Sequence, residues 1–135
     1  MPEFEMWLPV KPVPKARPRV GRWGVYTPKR TVDAEMELAW CVKQKWPKIP
    51  PISGAVELEV IFFTKRPQTG QNKAQDNNTK RPDLDNLIKL VCDALNGLVW
   101  IDDSQIWRCV SEKKYGDINQ IYLKIIWEKQ AEFQT

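Results

Sequence analysis

Residues 55–64, AVELEVIFFT, constrain the fold more than any other stretch of this chain. Val56, Leu58, Val60 and Phe62 alternate with Glu57 and Glu59, the period-two pattern of a strand with one wet face. Ile61 and Phe63 then take the places of the glutamates, so the strand starts half exposed and ends apolar on both sides. Other elements must cover it. Residues 4–10 alternate in the same way, with Phe4, Met6, Leu8 and Val10 opposite Glu3, Glu5 and Trp7, and predict a first strand.

Between these two strands, residues 11–30 read KPVPKARPRVGRWGVYTPKR. Proline removes amide donors and glycine resists order, so the spacing predicts an extended arm or loop. Thr31 or Asp33 is the expected cap of a helix running to about Trp46, with Ala34, Leu38, Cys41 and Val42 at helical spacing and Pro47, Pro50 and Pro51 ending it. Residues 65–82 hold a single apolar residue, Ala74, and read as a mobile polar loop. Asp83 opens a second helix to about Asn96, with Leu87, Ile88, Val91, Ala94 and Leu95 as its apolar stripe and Gly97 closing it. A short apolar strand, LVWI, follows, and residues 106–115 and 120–127 read as a hairpin around Gly116-Asp117. The order β-α-β-α-β-β predicts one α+β domain over residues 1–128, a mixed sheet with helices packed on it and a right-handed crossover through residues 55–110. The tail, 129–135, is expected to fray.

The length, 135 residues, suits one domain that needs no disulfide or structural metal to fold. Three cysteines, Cys41, Cys92 and Cys109, cannot all pair, show no CxxC spacing and read as buried packing residues. With no run of 18 apolar residues and an acidic N-terminus unlike a signal peptide, the expected setting is reducing and cytoplasmic, with no membrane partner.

Histidine is absent. That removes Ser-His-Asp and Cys-His triads, HExxH zinc sites and any imidazole base, and leaves carboxylates, Lys, Tyr, Ser or an oxygen-held metal for chemistry. The net charge of +4 is also uneven. Residues 6–32 hold no acid and seven basic residues, whereas the rest holds 14 basic against 17 acidic. A basic flank on a slightly acidic body points to an anionic polymer, nucleic acid first. Lys15, Arg17 and Arg19 share one side of an extended arm, and Lys29, Arg30 and Arg81 are further phosphate candidates. Trp7, Trp23 and Trp107 are candidates for stacking on unpaired bases, although most of seven Trp in a small domain must be core.

The candidate chemical constellation is RPDLDNLIK, residues 81–89, followed by Ile101-Asp102-Asp103. Asp83 sits where an N-cap belongs, Asp85 follows in the first turn, and Lys89 lies one turn along the same face. A helix of about thirteen residues rises roughly 20 Å, so a chain that doubles back through a short strand could bring Asp102 and Asp103 to the first pair. Carboxylates that converge repel one another unless a hard divalent cation such as Mg2+ relieves them. Taken singly, these residues are an N-cap, a surface i,i+4 pair and a turn. Together they read equally well as a metal site for phosphodiester hydrolysis.

Residues 81–106, RPDLDNLIKLVCDALNGLVWIDDSQI, resemble the core motif of RusA-type Holliday junction resolvases, and residues 11–31 resemble that family's N-terminal region. The resemblance implies a homodimeric endonuclease that uses Mg2+, with Mn2+ as its substitute, and cuts four-way junctions in branched DNA by paired nicks during recombination and repair. It implies that Asp83, Asp85 and Asp103 are the essential acids and metal ligands, that Lys89 is the essential lysine, and that Asp102 is the matching neighbour in the metal set. The expected products carry 5′-phosphates. Ile61, Phe63, Tyr122 and Ile126, opposite the main apolar faces, are candidate dimer surface. Competing readings are a non-catalytic nucleic-acid-binding module whose acids are caps and turns, and a Mg2+-dependent nucleotide phosphohydrolase.

Overall fold

The computed structural model describes residues 1–70 and 74–128, so the expected frayed tail lies outside the described residues. Its elements are β1 (Glu3–Leu8), β2 (Arg19–Gly21), β3 (Gly24–Tyr26), α1 (Lys29–Lys45), β4 (Val56–Lys65), α2 (Leu84–Leu95), a one-turn 3-10 helix (Asp103–Gln105), β5 (Ile106–Gly116) and β6 (Gln120–Trp127). Four strands form one mixed sheet in the order β1-β6-β4-β5, and β2 and β3 pair only with each other. The α+β reading of the sequence holds.

β4 is the centre of the sheet, as its doubly apolar end requires. It runs parallel to β5 and antiparallel to β6, and β1 closes the far side against β6. The expected hairpin of residues 106–127 is therefore not formed: β5 and β6 flank β4 instead of each other. The apolar faces explain this. β6 gains a neighbour on either side only by entering between β1 and β4, where Ile121, Leu123 and Ile125 become buried. Asn119, in the connection, accepts the Lys65 backbone N–H at 2.8 Å where the chain passes the end of β4.

One face of the sheet carries the core. Met6, Leu8, Val56, Leu58, Val60, Phe62, Leu123 and Ile125 pack under Leu38 and Val42 of α1 and Leu87, Leu90, Val91 and Leu95 of α2. Both helices lie on this side. The opposite face holds Glu5, Glu59, Ile61, Phe63 and Lys124 around an aromatic cluster in which Trp7 lies 5.8 Å from Phe63 and 4.8 Å from Tyr122. Burial, and the hydroxyl's bond to Glu5, push the Tyr122 phenol up to about 12.

Three local expectations are corrected. α1 starts at Lys29 after an N-cap Pro28, not at Thr31 or Asp33, because the proline ring presets the entry angle. Thr31 is buried and its hydroxyl oxygen accepts the Ala16 N–H instead. The LVWI segment is not a strand: Trp100 makes single bridges to Ile52 and Asn96, and Val99 and Trp100 are core. The second half of the 65–82 loop is pinned to β5. Tyr115 N–H donates to Asp76 O, Asn78 N–H donates to Lys113 O, and the Lys113 ammonium donates to the carbonyls of Lys80 and Pro82. Those last two bonds fix the chain just before Asp83. Among the described residues no helix is long and apolar enough to cross a membrane.

Candidate active site

α2 begins after Pro82 with Asp83 in the N-cap position, its backbone extended at φ −68° and ψ 144°. The sequence predicts that its carboxylate caps the helix. It does not: Asp83 makes no side-chain cap bond and stays exposed. A carboxylate at the positive end of a helix with no capping duty is available to a ligand. Asp85, in the first turn, is exposed and accepts only the neighbouring Asn86 N–H, at 3.0 Å. Lys89 follows one turn on, also exposed. The apolar stripe beneath, Leu87, Leu90, Val91 and Leu95, is at most 2% exposed, so the helix presents these three side chains from a rigid base.

The arm crosses this helix end. Lys15 N–H donates to Asn86 O at 2.9 Å and Ala16 N–H to Thr31 Oγ1 at 3.2 Å, which stitches residues 15–16 between the two helices. The result is an open cleft of about 630 Å3 lined by Lys11, Arg17, Arg30, Arg81, Thr64 and Asp83, among others. A second opening, lined by Arg17, Asp85, Asn86 and Lys89, shares Lys15, Arg17 and Asn86 with it. Arg30 also stands in the first turn of α1, which holds no acid. Cations there sit at the positive end of the helix dipole, and an anion in the cleft relieves both.

The predicted phosphate contacts separate in the structure. Arg17, Arg30 and Arg81 line the cleft; Arg19 starts the β2–β3 hairpin, and Lys29 is exposed at the first residue of α1. Lys15 is already neutralised. Its ammonium lies 2.6 Å from Glu35 and 3.2 Å from Asp93, joining α1 to α2, and the Glu35 bond above all holds its pKa above the usual lysine range. We expect Lys15→Ala to cost about 1–3 kcal/mol in urea unfolding, because it strands two half-buried carboxylates; an unchanged midpoint would return Lys15 to the set of free cations. Lys11, Thr64 and Asn86 also line the cleft, beyond the residues that the sequence pattern marks. Lys11 had a signal, since it stands in the acid-free run, and Asn86 had another, directly after Asp85.

Asp102 and Asp103 do not meet the first acidic pair. They follow α2, whose twelve residues span about 18 Å, and stand at its opposite end. Gln105 ties that turn to the start of β4 through the carbonyls of Ile52 and Gly54. Asp102 is the N-cap of the 3-10 turn, with Ser104 N–H donating to its carboxylate at 3.0 Å and Gln105 completing a capping box. The Ser104 bond holds the Asp102 carboxyl below the usual carboxylate range. Asp102 is thus engaged as a cap, while Asp103 makes no such bond and lies near enough to Cys92 to add to the burial that pushes that thiol up to about 12. Cys92 is no nucleophile at neutral pH. Among the described residues, no three Asp, Glu or Cys side chains stand together closely enough to hold a metal ion.

The comparisons with known proteins bear on this arrangement. The family described as Endodeoxyribonuclease RusA matches residues 9–126, which include the arm, both acidic pairs and every strand of the main sheet except β1 and the last residue of β6. The chain belongs to the RusA endodeoxyribonuclease family. A curated relative, described as the uncharacterized protein YqaN of Bacillus subtilis strain 168, is 27% identical over 128 residues, covering 85% of this chain and 89% of its own length.

Proposed function

We propose that this RusA-family protein is a Mg2+-dependent endonuclease that resolves four-way DNA junctions by paired symmetric nicks, in recombination and repair. The observation that carries the reading is the uncapped Asp83 carboxylate opening into a cleft lined by Lys11, Arg17, Arg30 and Arg81. An acid among cations repels the phosphate that those cations attract, unless a metal joins the two.

The donor set fits. Mg2+ takes one or two carboxylates and completes its shell with water and phosphate oxygens, and Asp83 and Asp85 supply that pair. Bound there, Mg2+ would neutralise phosphate charge and acidify a water. Arg17, Arg30 and Arg81 hold the phosphates on either side of the cut, and Lys89 stabilises negative charge that develops during it. Hydrolysis leaves a 5′-phosphate and a 3′-hydroxyl. Matched cuts on strands related by two-fold symmetry favour a homodimer. In one chain Asp103 lies at the far end of α2, so it joins Asp83 and Asp85 only through a second copy.

The test is cleavage of a labelled four-way junction with Mg2+, with Mn2+ and with chelator. We expect paired nicks with either metal and none without; metal-independent cutting, or intact DNA throughout, overturns the reading. In chelator, the slope of log affinity on log salt should become shallower by about 0.9 for each phosphate contact removed by Arg17→Ala, Arg30→Ala or Arg81→Ala. An unchanged slope excludes that arginine from the DNA.

A further inference from the structure

The hairpin β2–β3 stands outside everything the cleft explains. Its two strands pair only with each other, in the register Arg19↔Tyr26, Val20↔Val25 and Gly21↔Gly24. None of its side chains joins the core. Yet it is apolar: Val20 is 84% exposed, Val25 71%, Tyr26 51% and Trp23, at the turn, 92%. An isolated two-stranded ribbon has little stability of its own, and four large apolar side chains held in water on one are not a folding device.

Its local chemistry shows what it is built to hold. Arg22 and Trp23 form the turn, and Gly24 takes φ 116°, a conformation side chains disfavour although the space around it is open. That turn carries Trp23 at the extreme of the ribbon. The guanidinium of Arg22 lies 5.3 Å from the Trp23 ring centroid, so the indole already accepts a flat, cationic partner on its face. A Cβ placed on Gly21 would meet the Tyr26 ring at 2.9 Å, so Tyr26 lies directly over that backbone. The ribbon carries two cations, Arg19 and Arg22, and no acid. It leaves the arm two residues after Arg17, a residue of the phosphate cleft. Planar aromatic surface, flanking arginines and continuity with that cleft match an unpaired nucleobase still joined to its phosphates.

We propose that the β2–β3 hairpin is a base-stacking finger: Trp23 stacks on an unpaired base at the branch point of DNA whose phosphates lie in the cleft. The proposal rests on the junction reading above and gives the finger its part in selecting branched over linear DNA. A continuous duplex offers no free base face, so Trp23 contributes little there, whereas a branch point exposes one.

The experiment measures binding in chelator, with the full chain, to a four-way junction and to a linear duplex of equal length. We expect Trp23→Ala to weaken junction binding about 10-fold and duplex binding less than twofold, with Trp23→Phe close to the unaltered protein. Circular dichroism should be unchanged, since the hairpin adds nothing to the core. Equal losses on both DNAs, or none on either, overturn the finger. The two readings fail differently: an unaltered protein that does not prefer junctions and does not cut them defeats the junction reading, whereas one that prefers and cuts them equally well with Ala at position 23 defeats only the finger.

Discussion

Asp83→Asn, Asp85→Asn and Asp103→Asn each lower the rate of junction cleavage by about 100-fold or more, while junction affinity in chelator stays the same or rises. The neutral amide keeps the size of the carboxylate and removes the charge that a cation needs. Losing a negative charge beside phosphate cannot weaken DNA binding by electrostatics. Lys89→Ala, on an exposed helix position that tolerates alanine, should lose most activity without loss of fold. Asp102→Asn should behave differently, because that side chain caps a turn; a modest loss of stability and retained cutting are expected. Near-normal rates for any of the three acid variants remove that residue from the site.

The distance along α2 adds a sharper form of this experiment. If the protein is the proposed homodimer, Asp83→Asn protein mixed with Asp103→Asn protein forms some hybrid dimers. If Asp103 serves the acids of the other subunit, each hybrid keeps one intact site, and the mixture nicks junctions on one strand. If all three acids act within one chain, both sites in the hybrid are broken and the mixture stays dead. The second outcome excludes sharing between subunits.

Trp100→Ala should cost about 3–5 kcal/mol and lower the melting temperature by roughly 10–20 °C. The ring is fully buried, its Nε1–H donates to Asn96 Oδ1 at 2.7 Å, and its backbone bridges to Ile52. It holds the connection between the end of α2 and the turn that carries Asp103. Trp100→Phe keeps most of the packing and loses the hydrogen bond, at about 1 kcal/mol. Thermal unfolding followed by circular dichroism measures both; a shift under 3 °C for the alanine variant would mean that the connection is held by other contacts.

Residues with strong periodicity were legible from sequence, and residues whose partners lie far away were not. β4, β6 and α2 follow from alternation and from the stripe Leu87, Val91 and Leu95, because burial on one face leaves its period in the chain. The pairing of β4 with β5 and β6 is not legible, since turn residues at Gly116-Asp117 suggest a hairpin and nothing local says that a third strand intervenes. Residue types announced the candidate site, but not its spacing in the fold. Asp83 is an N-cap by position and not by hydrogen bond. Lys15 looked like its basic neighbours until Glu35 and Asp93, 20 and 78 residues away, claimed it. Trp23 shows why composition misleads: most tryptophans in a small domain are core, and this one is the most exposed large hydrophobic among the described residues.

The strand order has a consequence for the newborn chain. β1 is made first and pairs only with β6, from Glu3↔Ile126 to Leu8↔Ile121. At ordinary translation speeds it waits on the order of ten seconds for that partner. Meanwhile β4 has left the ribosome with both of its edges bare, as both its neighbours come later in the chain. Folding of the sheet therefore completes in one late step, when β6 slides between two strands made long before it. Until then Ile61 and Phe63 lie on a strand without neighbours, and that interval is where aggregation competes with folding and where chaperone binding to this chain would concentrate.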